Sequence, residues 1–144
     1  MENSAPANDA SGYAVVALLQ LAMVAVLAGS FVFAADLCRA IDLPLSVDFL
    51  GVRSYGDSTS TSGVVRITHD LMRPIEGKHL LLVEDIVDTG LTLANLQDIL
   101  RARGPLSLKT ACLLSKPSRR QVDVTVDYVG FTIEDRFVVG YGLD

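Results

Sequence analysis

Residues His79-Leu80-Leu81-Leu82-Val83 form a short apolar run with no polar alternation, followed at once by Glu84-Asp85 and then by Asp88-Thr89-Gly90-Leu91-Thr92. A strand that is apolar on both faces has to be covered on both faces, which is the situation inside a parallel sheet. Beyond the turn, Leu93, Leu96, Ile99 and Leu100 fall on one face of a helix. Arg101 and Arg103 suit its negative C-terminal end, and Gly104-Pro105 stops it. A buried strand, a tight turn and a helix packing back on the sheet restrict the chain to an α/β architecture.

The rest of the chain repeats that alternation. A buried strand is expected near Met23–Leu27, with a helix before it and a second helix from Phe31. Ser30 is placed to cap that second helix. Strands are expected at Ser46–Val52, after the Leu43-Pro44 turn, and at Val64–Thr68, with a turn at Glu76-Gly77. Thr110–Leu114, Val122–Val129 and Arg136–Tyr141 are further strand candidates. Residues 1–12 are small and polar and read as a disordered tail, leaving 13–144 as one domain with no internal repeat. The run from Ser54-Tyr55 to Gly63 is polar and small, and its lack of apolar anchors after Tyr55 makes it a mobile surface loop. It is either a plain linker within a hairpin or a lid over a site.

Composition narrows the function. The 144 residues carry 12 basic and 17 acidic side chains, a net charge of −5. Broad binding to a nucleic-acid backbone calls for the opposite bias. A small anion is still within reach, because a few backbone amides can hold a phosphate. Cys38 and Cys112 are far apart and form no Cys-x-x-Cys pair, as expected of reduced thiols in a cytoplasmic protein. His69 and His79 lack ligand-like spacing, which argues against a zinc site.

The stretch from Tyr13 to Ala35 is long and apolar enough to span a bilayer. Three features speak against that use. Glu2 and Asp9 precede it where a basic cluster would stand, Leu27-Ala28-Gly29-Ser30 reads as a strand-to-helix turn, and the next helix carries Asp36 and Arg39. The missing basic region also speaks against a signal peptide.

Chemistry concentrates between residues 84 and 92. Carboxylates at the end of a strand can accept hydrogen bonds from neighbouring hydroxyls or approach a hydrated Mg²⁺. Thr89-Gly90-Leu91-Thr92 opens a helix, so free amides, hydroxyls and the helix dipole converge on a phosphate. Carboxylates for a sugar beside amides for a phosphate describe a sugar-phosphate site. Asp-Thr-Gly alone is weak, since it also serves as a plain helix start. The apolar strand, the acidic pair and Asp-Thr-Gly-x-Thr ahead of an amphipathic helix are together far more specific.

That combination resembles the phosphoribosyl-diphosphate (PRPP) motif of type I phosphoribosyltransferases. From about Leu27 to Asp144 the chain is similar to hypoxanthine-guanine phosphoribosyltransferases of the bacterial kind. The matching stretches are Gly29–Leu37, Val47-Asp48-Phe49, Ser54-Tyr55, Val83–Thr92, Leu114-Ser115-Lys116-Pro117 and Phe137–Tyr141. The resemblance implies the type I fold, a mainly parallel twisted sheet flanked by helices with a mobile lid. It implies transfer of the 5-phosphoribosyl group from PRPP to N9 of hypoxanthine or guanine, giving IMP or GMP and pyrophosphate. It also implies an assembly of two or four copies. Glu84 and Asp85 would hold the ribose hydroxyls directly or through Mg²⁺, with Asp144 beside a second Mg²⁺. Asp88 would act as general base near purine N7, and residues 88–92 (Asp88, Thr89, Gly90, Leu91, Thr92) would bind the 5′-phosphate. Lys116 would donate to O6, which disfavours adenine because two donors would meet there. Phe137 would stack on the purine, Val138 would read its edge, and Ser54-Tyr55 would head the lid. Without the resemblance, Lys116 reads as a solvated lysine and Phe137 as core.

Two departures from the family pattern carry an expectation. The family's Leu-Lys-Gly pyrophosphate turn is here Leu27-Ala28-Gly29, and the family sequence continues past Asp144 where this one stops. Residues 1–22 also differ from the family's opening. Both the lost lysine and the absent continuation remove positive charge from the leaving group. Reduced turnover is expected, and the competing reading is a degenerate relative that binds purine nucleotides with little or no catalysis.

Overall fold

A computed structural model describes residues 20–54 and 64–143. Among these, six strands form one sheet in the order β3-β2-β1-β4-β5-β6. The elements are β1 (Leu21–Leu27), α1 (Phe31–Ala40), β2 (Leu45–Ser54), β3 (Val65–His69), β4 (His79–Val87), α2 (Leu91–Arg101), β5 (Ser107–Ser115) and β6 (Tyr128–Thr132). Neighbouring strands run parallel except β3, which returns antiparallel to β2 at the edge.

The two helices cover opposite faces, and strand alternation divides the core accordingly. On the α2 face, Val24, Leu80, Leu82 and Cys112 pack with Leu93, Leu96 and Leu100. On the α1 face, Met23, Ala25 and Val83 meet Ala34, with Phe33 and Leu37 against them. This is why β1 and the start of β4 are apolar without a break. From β1 the chain steps outward through α1 to β2, then returns to place β4 on the other side of β1. The reversal opens a crevice over the carboxyl ends of β1 and β4, where ligands of open α/β sheets bind.

Several boundaries differ from the sequence expectations. β1 begins at Leu21, two residues before Met23. Ser30 does not cap α1; it has helical dihedrals, and its hydroxyl donates back to the Val26 carbonyl at 2.6 Å. The expected first helix, the tail and most of the Ser54–Gly63 loop lie outside the described residues. Residues 122–127 form no ladder, although Val124 and Val126 pack on the core and the Gln97 amide donates to the Thr125 carbonyl at 2.8 Å. Their alternation reflects one buried side, and only from Tyr128 does the backbone pair with β5.

Arg136–Tyr141 is not a strand either. Gly140, Tyr141 and Gly142 have positive φ, which ends an extended run. The segment turns back across the sheet end, so that the Tyr141 hydroxyl bonds Asp36 and Gly142 lies against Phe31. Among the described residues, no helix is long and apolar enough to cross a membrane. Residues 21–35 of the apolar stretch are instead a buried strand, a turn and the start of α1.

Candidate functional site

A cavity of about 250 Å³ opens over the carboxyl ends of β1 and β4. Leu27 and Gly29 line one side, Glu84 and Asp85 the floor, and Asp88, Thr89, Gly90 and Thr92 the other side. The acidic pair belongs to β4 itself rather than to the loop after it. The ladder to β5 continues through Glu84 opposite Cys112 as far as Val87 opposite Ser115. As consecutive strand residues, the two side chains leave the backbone on opposite faces, and both still reach the cavity.

Their electrostatics are unusual. Burial and the neighbouring Asp85 charge push the Glu84 carboxyl up to about 8. Burial also raises Asp85, against a 2.8 Å hydrogen bond from the Ile86 N–H that favours its charged form. Among the described residues neither carboxylate has an ion-pair partner. A buried carboxyl beside a half-buried one, neither with a protein cation among the described residues, is poised for hydroxyls or a metal ion. Asp85 lies so close to Gly29 that a Cβ there would fall 1.8 Å from its Oδ2. A side chain at 29 would therefore displace the Asp85 carboxylate from its present position. The Leu27–Ala28 peptide is cis; both residues are exposed, and Leu27 lines the cavity.

The turn after β4 is held from outside. Gly90 has φ of 83°, and a Cβ on it would meet Val124 at 2.9 Å and Arg120 at 3.0 Å. Arg120 donates to the Asp88 carbonyl at 2.6 Å and to Ser115 Oγ at 2.8 Å. The Gln121 N–H donates to the Thr89 carbonyl at 2.9 Å. These contacts hold the α2 N-terminus toward the cavity, where its first amides lack intrahelical partners. Arg120 leaves no local signal in the sequence, because its partner is a backbone carbonyl thirty-two positions earlier.

The remaining candidates separate into those at the cavity and those away from it. Asp88 is half-exposed and ion-paired with Arg119 at 3.2 Å. Lys116, at the carboxyl end of β5, is buried, with its ammonium 3.6 Å from Asp135. It is therefore not the solvated lysine that composition suggests. Phe137 is 91% exposed, so it is not core. Val138 beside it is half-buried. Ser54 ends β2 opposite Val65; Tyr55 and Asp144 lie outside the described residues. Among the described residues no cluster of three or more metal-ligating side chains occurs. Mg²⁺ commonly takes only one or two carboxylates and completes its shell with water and substrate phosphates, so the Glu84–Asp85 pair fits such an ion.

A mostly parallel open sheet with a small-residue turn opening a helix and an acidic pair at its switch point defines a class: an α/β domain with a site suited to a sugar phosphate. The comparisons agree. The phosphoribosyl transferase domain model matches residues 15–144. The chain is 54% identical to hypoxanthine phosphoribosyltransferase of Haemophilus influenzae, over 86% of this chain and 69% of that protein. It is 52% identical to hypoxanthine-guanine phosphoribosyltransferase of Dictyostelium discoideum, over 86% of this chain and 71% of the relative. Among solved structures, hypoxanthine phosphoribosyltransferase of Staphylococcus aureus superposes with a TM-score of 0.84 at 44% identity, covering 93% of this chain and 74% of that one. The chain belongs to the phosphoribosyltransferase family and has its type I fold.

Proposed function

We propose that the chain transfers the 5-phosphoribosyl group from PRPP to N9 of hypoxanthine or guanine, giving IMP or GMP and pyrophosphate. The observation that carries this reading is the acidic pair at the end of β4, directly ahead of the Asp88–Thr92 turn and against the Gly29 turn. The amides at the start of α2, with Thr89 and Thr92, bind the 5′-phosphate. Glu84 and Asp85 hold the ribose hydroxyls and are the residues that would hold Mg²⁺, with Asp144 near the base. When bound, Mg²⁺ neutralises charge on the departing pyrophosphate. The Leu27-Ala28-Gly29 turn faces that pyrophosphate.

On the purine side, Asp88 accepts the proton that leaves N7 as the bond to N9 forms. Lys116 donates to O6, and Phe137 and Val138 cover the ring and its edge. Phe137's exposure supports this, because a large aromatic ring in water has its apolar surface available to a ligand. The lid of this proposal, headed by Ser54-Tyr55, would cover the pyrophosphate and keep water from the cationic sugar centre. Self-association into a dimer or tetramer in a reducing, cytoplasmic compartment belongs to the same proposal. Free Cys38 and Cys112 support the compartment.

A second reading, a nucleotide-binding relative with little turnover, is favoured by one observation: the turn at 27–29 offers Ala28 where the family has lysine. Formation of labelled IMP from hypoxanthine, PRPP and Mg²⁺, measured beside direct GMP binding, separates the two. Turnover together with binding supports transfer. Binding without turnover supports the second reading.

A further inference from the structure

We propose that Asp135 and Arg119 are positioning residues that hold Lys116 and Asp88 in a fixed relation, and that Asp135 sets the preference for a 6-oxopurine through Lys116. The inference rests on the roles proposed above for Lys116 and Asp88. Four side chains of alternating charge form a line. Asp88 Oδ1 lies 3.2 Å from Arg119 Nε, Arg119 reaches Asp135 Oδ2 at 3.7 Å, and Asp135 Oδ1 lies 3.6 Å from Lys116 Nζ. They come from separate places: the turn after β4, the 3-10 turn at Pro117–Arg119 with the residue before it, and the segment after β6.

Stability does not account for this line. The side chains of Asp88, Arg119 and Asp135 are 42%, 47% and 54% exposed, and exposed pairs contribute little. Lys116 is different, with its side chain only 10% exposed. An ammonium so far from water needs a counter-charge, and among the described residues Asp135 is its ion-pair partner. A lysine is a point charge on a flexible stem. To act as a directed donor, its head has to be held from one side. Asp135 does this with one oxygen, and Arg119 ties down the other oxygen of the same carboxylate.

Through its Nε–H, Arg119 also reaches Asp88. The proposed O6 donor and the proposed N7 proton acceptor are thus joined through two intermediaries. O6 and N7 lie on one edge of a 6-oxopurine, whereas adenine presents an amino donor at the first of these positions. A line that fixes the distance between an ammonium and a carboxylate therefore selects for that edge. Sequence alone did not suggest it, because residues 88, 119 and 135 are brought together only by the sheet end.

The test pairs direct binding with turnover in wild type, Asp135→Asn, Asp135→Glu and Arg119→Gln. Binding is read by calorimetry with GMP and with ribose 5-phosphate. Turnover is read with hypoxanthine or adenine, PRPP and Mg²⁺. Asp135→Asn is expected to weaken GMP and raise the hypoxanthine KM by about tenfold, leaving ribose 5-phosphate affinity and the PRPP KM within about twofold. The preference for hypoxanthine over adenine should fall with it, and Asp135→Glu should restore part of both. Arg119→Gln should act in the same direction and less strongly. If Asp135→Asn does not fold, Arg119→Gln carries the test, because its side chain is half-exposed. Equal losses toward GMP and ribose 5-phosphate overturn the proposal. So does wild-type behaviour in both Asp135→Asn and Arg119→Gln while the wild-type chain binds GMP. A wild-type chain that binds neither probe overturns the functional reading, and this inference with it.

Discussion

Gly29 and Asp85 illustrate how single residues constrain one another at this site. The carboxylate occupies the space a side chain at 29 would need, so the turn that faces the proposed pyrophosphate position is shaped by the residue proposed to hold the sugar. Ala28, next to it, is exposed. A lysine at 28 therefore has room, and Ala28→Lys is expected to tighten PRPP and raise turnover without lowering the melting temperature. The gain should shrink at high salt, because an exposed cation is screened. PRPP titrations at two ionic strengths check it, and a lower melting point with no gain in PRPP affinity or turnover counts against this turn as the pyrophosphate loop. Asp88→Asn should lower turnover by about 10²–10⁴-fold, the usual range for losing a general base, with a much smaller loss of GMP binding. An unchanged turnover number removes Asp88 from that role.

At the scale of elements, the join between β5 and β6 depends on Asp127. Its carboxylate accepts from the Thr110 N–H at 2.8 Å and pairs with the Lys109 ammonium at 2.8 Å, while its own N–H donates to the Thr110 carbonyl at 2.9 Å. Burial alone would raise this carboxyl, but Lys109 and the Thr110 N–H outweigh it and hold the group below its ordinary 3.8. A lowered folded-state value means the stabilisation is present above the ordinary carboxylate range and is lost as pH falls through the folded value. Asp127→Asn should therefore cost about 1 kcal/mol at neutral pH, since Lys109 is half-exposed and partly screened. The difference from wild type should hold down to about pH 5, shrink as pH falls past the ordinary 3.8, and close only below the lowered folded value. Urea melts across that range measure it, and a difference that does not change with pH assigns the effect to packing. Of the strand expected at Val122–Val129, only Tyr128 and Val129 pair with β5. Alternation reports which side chains face the core, and Val122, Val124 and Val126 are half-buried without a strand ladder.

At the scale of the whole molecule, the cavity is built by elements that meet only at the sheet end. A ligand bridging the 27–29 turn and the start of α2 ties β1 to β4 and α2 together. A ligand that binds the folded state at a hundred times its Kd adds about 2.7 kcal/mol. PRPP with Mg²⁺ is accordingly expected to raise the melting temperature, and chelating the metal with EDTA should remove most of that rise. An equal shift from PRPP in the presence of EDTA means that the Glu84–Asp85 pair takes the sugar directly and needs no metal.

Much of this could be read from the chain itself, because it depends on neighbours in sequence. An unbroken apolar strand, an acidic pair and a small-residue turn before an amphipathic helix determined the α/β class and placed the candidate site, since strand burial, helix periodicity and phosphate-turn chemistry are local properties. Other features belong to the tertiary structure. That Glu84 and Asp85 sit inside β4 follows from β5 lying alongside it as far as Ser115. That Arg120 holds the Asp88 turn, that Asp135 meets Lys116, and that residues 136–141 fold back toward α1 instead of joining the sheet follow from contacts between distant positions. A hydrogen bond or ion pair between such positions leaves no periodicity behind; it exists only once the sheet has brought its carboxyl ends together.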